Sequence, residues 1–469
     1  MEIKLLGLTT KEAIEEQIKI PAAAGKLSRF DGDAIGVYES SYDFEDNVKW
    51  IERITKMGHK SIIDHDYLVL AIKDVTPILE QTIIGKRLTS FTIKSRREVN
   101  FSNAGFYVPE FRDKYYDEHP EKEELTERYN EHMNSLFSNY QDYVDMGLKK
   151  EDARYVLPYS FYSNIIMGLD AHELESILQE LENGNLKNVT EAQEFRKALL
   201  EIVKVRCPYM LKNLAKKNSY DNLDYLDELV DEKFLNPDII EAVKLVDCSR
   251  NIDDKILISA LQRRYQLSFE DASNLLEELS RKDVNFKSNM MKNIFLNAKN
   301  RELEQVDFTF NIPISLAVLT HLTRHRMHSL LVPDFLPMWD LEHKYISDEI
   351  KNKTDINLYN YIFRNNKEVF EFFKEQGVVE DDLIYFYLAG NMCNVSTTMN
   401  GRTVSHILRM RECEKAQKEI RDIAHAMNYE ISKQKSAVNF KDNIGTTCEV
   451  FGYCPEGREC CGKIKTLKR

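Results

Sequence analysis

Three adjacent residues, Arg324-His325-Arg326, make the densest basic spot in the C-terminal half of the chain, placed where an apolar stretch with helical spacing ends. Guanidinium groups are planar five-donor forks that suit phosphate oxygens. A solvated helix end, its cations complementing the helix dipole, accounts for the triplet equally simply and is favoured on the triplet alone. His321, His325 and His328 fall at i, i+4 and i+7, the spacing of a metal-binding face, but two interleaved arginines and no carboxylate rank a metal below a phosphate. A second set, Ser90, Ser95, Arg96 and Arg97, combines hydroxyls with guanidinium groups, another way to hold a phosphate monoester. On helical spacing Arg411 shares a face with Val404 and Leu408, so its cation points toward an interior or an interface. Such an Arg calls for a partner, either a structural Glu or an anionic ligand. Upstream, Asn400-Gly401-Arg402 breaks the helical pattern and offers donors at a helix start.

These residues need a scaffold. The 469-residue chain is long enough for two or three domains, and 43% hydrophobic with 10% aromatic composition can build large cores. Low Gly (17) and Pro (11) favour a largely helical protein with some strand. No apolar run approaches the ~18 to 20 residues of a bilayer span. The N-terminal residues meet Lys11, Glu12, Glu15 and Glu16 before a secretory core could form, so a soluble, cytoplasmic protein is expected. A net charge of -13 argues against sequence-independent binding to nucleic acid, and any anionic ligand must meet a local basic cluster. Eight cysteines are too few for a disulfide scaffold. Four of them, Cys448, Cys454, Cys460 and Cys461, are spaced Cys-x5-Cys-x5-Cys-Cys, which lacks the paired Cys-x2-Cys of zinc sites and leaves a metal, a redox-sensitive tail and a packed tail open.

The elements recur in order. A strand near residues 3–6, a helix over 47–57, a buried strand over 67–72, an apolar helix after Pro77, the basic segment 86–97 and long helices over 120–205 form the first series. Strands over 243–246 and 306–312, a helix starting near Pro313 and further helices form the second, in which Lys415-Ala416-Gln417 echoes Glu191-Ala192-Gln193. This pattern predicts a divergent duplication with a period of roughly 240 residues. The expected fold is α+β: two tandem copies, each a mixed sheet with a helical bundle. The copies span residues 1–210 and 243–440, with a connector over 211–242 and a Cys-rich tail over 441–469.

The motifs together resemble the flavin-dependent thymidylate synthases. The triplet, Phe308-Thr309-Phe310, Asn400-Gly401-Arg402, the 408–411 stretch and Ala416-Gln417-x-Glu419-Ile420 are similar to that family in order and spacing. The first half resembles it through Gly58-His59-x-Ser61 with Asp64-His65, through Ser90, Ser95 and Arg97, and through Ala153-Arg154-Tyr155-Val156-Leu157-Pro158. The resemblance implies an FAD-dependent enzyme that makes thymidylate from deoxyuridylate (dUMP), with methylenetetrahydrofolate and NADPH as co-substrates. It implies Arg411 as the catalytic residue, with Cys413 beside it a buried small residue rather than a nucleophile. Ser95, Arg97, Arg154, His321 and Arg324 are the implied substrate residues. His59, Ser61, Arg324, His325, Arg326, Asn400, Arg402 and His406 are the implied cofactor residues, with no metal.

The departures from the pattern are complementary. In the first half the triplet reads Gly85-Lys86-Arg87, Asn-x-Arg reads Asp170-Ala171-His172, and the late Arg falls near Leu181. In the second half the phosphate-binding Ser and Arg are Asp334 and Leu336, and the Arg of Arg-x-x-Leu-Pro is Ile384. The family's Gln before the triplet is His321, and its Glu before the Ser is Ile93. Independent drift would scatter losses over both sets, so one composite active site per chain is expected. A homodimer would then equal the family's homotetramer. A pseudoenzyme that binds flavin or a pyrimidine nucleotide in a regulatory role is the alternative.

Overall fold

The computed structural model describes residues 1–8, 14–29, 31, 33–116, 119–214, 229–230, 238–339 and 341–467. Of the expected connector, residues 215–228 and 231–237 lie outside the described residues. The chain forms two compact units, one of Met1–Pro237 with Asp334–Asn391 and one of Asp238–Pro333 with Met392–Arg469. Helices and sheets occur in both, an α+β architecture.

In the first unit β1 (Glu2–Leu8), β2 (Tyr67–Val75), β3 (Ser90–Ile93) and β4 (Ser163–Asp170) form a sheet in the order β1-β2-β4-β3. Every pairing is antiparallel, so the sheet is not the mixed one expected from sequence. The apolar run of β2 predicts burial on both faces, yet Leu68, Leu70 and Ile72 are buried while Val69 and Ala71 are only half-buried. A sheet with helices on one face buries alternate residues, each worth about 1.5–3 kcal/mol when a Leu or Ile is fully covered. Strand β4 interrupts the expected run of helices: its Ile165, Met167 and Leu169 form a short apolar run that a helix face would also supply.

The second unit repeats the arrangement with β5 (Lys244–Cys248), β6 (Asp307–Ser315), β7 (Ser329–Leu331) and β8 (Met392–Asn400) in the order β5-β6-β8-β7, again antiparallel. The register is shared in detail. Lys4 pairs with Ala71, Leu5 with Leu70, and a bulge follows before Gly7; Lys244 pairs with Asn311, Leu245 with Phe310, and a bulge follows before Asp247. Strand β6 continues through Pro313 to Ser315, and the helix expected from Pro313 starts only at Leu316. A proline is tolerated there because β5 pairs no further along β6 than Asn311, leaving β8 as the sole partner strand of Pro313.

Each apolar helix that follows the second strand of a sheet is tied to a buried Glu. Glu419 accepts from the Ser315 N–H and hydroxyl, both at 2.7 Å. Glu191 accepts from the Thr76 N–H at 2.9 Å and hydroxyl at 2.7 Å, and from the Tyr385 hydroxyl at 3.1 Å. These bonds equate Glu191 with Glu419, correcting the sequence echo that aligned Ala192-Gln193 with Ala416-Gln417. Burial, opposed by the Thr76 and Tyr385 donors, pushes the Glu191 carboxyl up to about 7. Between about pH 4.5 and 7 the unfolded chain has released this proton while the folded chain keeps it, so the contribution of Glu191 to stability falls as pH rises through that window. Glu191→Gln should flatten that part of the stability curve in urea unfolding followed across pH; an unchanged slope would assign it to other carboxyls.

The bundle of the first unit draws on both halves of the sequence. Helix Lys122–Asp145 buries Leu125, Tyr129, Met133, Leu136 and Tyr140 on one face, and helix Ile356–Glu375 buries Tyr359, Phe363, Phe370 and Phe373. His132 Nε2 bonds Asn366 Oδ1 at 2.9 Å, and Tyr129, Phe111, Phe373 and Phe386 stack edge to face or tilted, with centroids 5.2–6.3 Å apart.

Candidate functional site

In the second unit the helix Gly401–Arg411 starts with the expected motif. Asn400 caps it, accepting from the Thr403 N–H at 2.9 Å. Gly401 is required by packing: a Cβ there would lie 2.7 Å from the Leu303 carbonyl oxygen. Arg402 is exposed and donates to Glu304 at 2.7 Å, an ion pair that holds the Glu304 carboxyl below its usual range. Glu304 was not legible as a partner because nothing in the spacing links it to a helix start 98 residues on.

At the other end of this helix Arg411 is half-buried. Its Nε donates to His325 Nε2 at 2.9 Å and its NH2 to the His321 carbonyl at 2.9 Å. An imidazole and a carbonyl thus orient its guanidinium through two separate nitrogens. Accepting through Nε2 requires His325 to be uncharged there, and burial, with Arg411, His406, His328 and Arg324 around it, pushes its pKa down to about 2. His406 packs edge-on to His325 with ring centroids 5.5 Å apart, and burial with Arg409, Arg411 and Arg402 lowers its pKa too. Arg324 is exposed and Arg326 half-buried, so the triplet alternates two outward cations with a buried imidazole. Cys413 is half-buried, not the buried residue expected.

The metal alternative loses its geometric premise. The helix ends at Thr323, so His325 and His328 do not continue a helical face from His321, and His328 Nδ1 bonds the Thr397 hydroxyl at 2.7 Å. Among the described residues no group of three or more His, Cys, Asp or Glu is placed to hold a metal ion.

In the first unit the segment after β3 forms a tight turn in which the Ser95 hydroxyl accepts from the N–H groups of Arg97 and Glu98 at 3.3 Å. Arg96 turns inward to Glu80 at 2.6 Å and to Ser163 at 3.2 Å, against the Phe161 ring, and is a structural anchor rather than a phosphate ligand. Arg97 points the other way and donates to Glu151, while Lys150 donates to the Glu98 carbonyl at 2.7 Å. The loop is thereby fastened to helix Lys150–Ala153, whose next residue is the buried Arg154. His59 and Ser61 are exposed at the turn before β2.

The first unit's counterpart of the arginine band is neutralised. Lys86, in the triplet position, bonds Ser176 at 3.0 Å and pairs with Glu180. Lys60 pairs with the buried Glu175 at 2.9 Å, His172 with Asp64 at 3.0 Å, and Leu181, in the late Arg position, is fully buried. Gly85, His172 and Leu181 stand where the second unit has Arg324, Arg402 and Arg411, and carboxylates pair with the cations around them.

The arginines of the second unit are carried on an α+β fold. A family profile described as "Thymidylate synthase complementing protein" matches residues 11–209 and 244–435, and the chain belongs to that family, the flavin-dependent thymidylate synthases. It is 32% identical over 165 residues to the flavin-dependent thymidylate synthase of Pyrococcus furiosus, covering 33% of this chain and 67% of the relative. With that of Clostridium tetani it shares 27% identity over 249 residues, 48% of this chain and 95% of the relative. Among solved structures, a UMP/dUMP methylase from Streptomyces cacaoi bound with 5-Br dUMP aligns with 18% identity and a TM-score of 0.37, over 45% of this chain and 94% of that one. No helix among the described residues is long and apolar enough to cross a membrane.

Proposed function

We propose that the chain is an FAD-dependent thymidylate synthase of the cytoplasm that converts dUMP to dTMP with methylenetetrahydrofolate and NADPH, an internally duplicated member with one composite active site per chain. The observation that carries this reading is Arg411, held by His325 and His321 beside Arg324 in the family's own motif order. The paired bulges and shared register of the two sheets support the duplication.

In this reading Arg324, Arg326 and Arg402 would take the phosphates of a dinucleotide flavin, Asn400 and His406 would add contacts from the same unit, and His59 and Ser61 would be the first half's contribution. Bound there, the flavin supplies the hydride that reduces the transferred one-carbon unit to a methyl group. Ser95, Arg97 and Arg154 hold the dUMP phosphate by charge-assisted hydrogen bonds, for which Arg97 exchanges Glu151 for a more highly charged anion. His321 and Arg324 complete the substrate contacts. Arg411 stabilises negative charge developing on the pyrimidine. Neutral His325 accepts from the Nε of that guanidinium and helps to fix its plane.

Release of label from dUMP tritiated at C5 tests the reading. Flavin-loaded protein that releases none, under conditions where a relative does, would favour the pseudoenzyme, to which His321 and Ile93 in place of the family's Gln and Glu already give some weight. Arg402→Ala should leave the fold intact and lower flavin retention on gel filtration at least about tenfold, the worth of one exposed charged contact of about 1.5 kcal/mol. A variant as yellow as the parent would place the flavin elsewhere. Light scattering should give a homodimer.

A further inference from the structure

The loop between the helix that ends at Thr323 and strand β7 carries Arg324, His325 and Arg326. Of residues 324–331 only His325 and His328 are buried; Arg324 and Met327 are exposed and Arg326 half-buried. Three side-chain bonds tie the loop to its own unit. Arg411 Nε donates to His325 Nε2 at 2.9 Å, the Thr403 hydroxyl donates to the Met327 carbonyl at 3.1 Å, and His328 Nδ1 and the Thr397 hydroxyl are hydrogen-bonded at 2.7 Å. The last of these joins two buried side chains, His328 just before β7 and Thr397 on β8, so water does not compete for it and either group left alone would be a buried polar atom without that partner.

The register of the two sheets gives the matching residues of the first unit. Ser90 pairs with Gly168 and Ser329 with Thr398, and each partner lies two residues before the cap of the helix that follows, Asp170 and Asn400. On this correspondence Thr89 stands for His328, Met167 for Thr397 and Glu173 for Thr403. The Thr89 hydroxyl turns back to the Lys86 carbonyl of its own turn at 2.8 Å, and Met167 is fully buried with no hydroxyl to offer. The anchors thus accompany the loop that keeps Arg324, while the loop reading Gly85-Lys86-Arg87 has other residues in each of their places. A requirement of the sheet alone would fall on both units alike.

We propose, on the reading of this loop as part of the flavin site, that His328 held by Thr397 is a positioning residue for flavin binding: it fixes the backbone from which Arg324 and Arg326 meet the flavin phosphates. His328 acts through the arginines and makes no ligand contact of its own. Ordering two long side chains and the loop beneath them costs conformational entropy when a ligand binds, and an anchor that orders the loop beforehand raises affinity without touching the ligand. Thr403 adds a second hold one residue earlier, on the Met327 carbonyl.

The test titrates the flavin-free, full-length protein with FAD, followed by flavin fluorescence, and reads hydrogen exchange of the same protein by mass spectrometry. His328→Ala and Thr397→Val should each weaken FAD binding about tenfold, the worth of one buried hydrogen bond. The double variant should add little to either, because both single changes break the same bond. His328→Asn, whose side-chain amide reaches the place of Nδ1, should bring binding back to within about threefold of the parent. Without flavin, exchange over residues 325–331 should quicken at least about tenfold in His328→Ala and Thr397→Val, while that of β6 keeps the parent's rate. Unchanged affinity in both single variants, additive losses in the double variant, or faster exchange spread evenly over the unit would overturn the proposal. A parent that binds no FAD would instead refute the flavin reading, and the exchange rates would still decide whether His328 holds the loop.

Discussion

Replacing Arg411 by Ala should lower kcat for dUMP methylation about 10²- to 10³-fold, the loss of about 2.7–4 kcal/mol that follows removal of one preorganised charge from a developing anion. The dissociation constant for dUMP should change far less, because the phosphate contacts assigned to Ser95, Arg97 and Arg154 remain. Lysine should not rescue the variant. The guanidinium is fixed through two separate nitrogens, Nε to His325 and NH2 to the His321 carbonyl, and an ammonium cannot span both acceptors in one plane. The measurement is steady-state turnover together with dUMP titration by calorimetry. A loss confined to KM would make Arg411 a substrate-holding residue, and undiminished turnover would remove it from the mechanism.

Arg96→Ala should destabilise the first unit by about 3–5 kcal/mol, the cost of leaving one member of a buried ion pair without its partner. Glu80 has 0% exposure, and Arg96 meets it at 2.6 Å while also donating to Ser163. The double variant Glu80→Met with Arg96→Met should recover most of the loss, since apolar replacement of both charges removes the unpaired carboxylate. Urea unfolding followed by circular dichroism reads the effect. Because Arg96 lies between Ser95 and Arg97, the single variant should also weaken dUMP binding, whereas a merely electrostatic surface role would leave both stability and binding within about 0.5 kcal/mol of the parent.

The legible part of the molecule was what local sequence determines. Strands β1, β2, β5 and β6 were readable from short apolar runs, and the order of the two series announced their common sheet topology. Strand β4 was not, since Ile165, Ile166 and Met167 fit a helix as well as a strand until the antiparallel partners on both sides are known. At the candidate site the residue types were legible but not their bonds. Arg411 donates to an imidazole 86 residues away and to a carbonyl, an acceptor that every residue carries and no sequence pattern marks. Arg96 and Arg97 are indistinguishable as letters, yet one turns to Glu80 and the other to Glu151, a choice made by the turn at Ser95.

The bundle of the first unit, assembled from residues of both sequence halves, limits how this protein can be divided. A protease cut between Asn213 and Asp238 would not free two independent proteins, because the Arg112–Asp382 fork, the His132–Asn366 bond and the Tyr107–Tyr385 ring contact would still hold the fragments together. Expressed separately, the N-terminal fragment would present Tyr129 and Phe111 to water where Phe373 and Phe386 should cover them. The two halves of the sequence are therefore obligate companions. Recombination that exchanged one half for the matching segment of a distant relative would have to preserve this aromatic seam before it could preserve any catalytic residue.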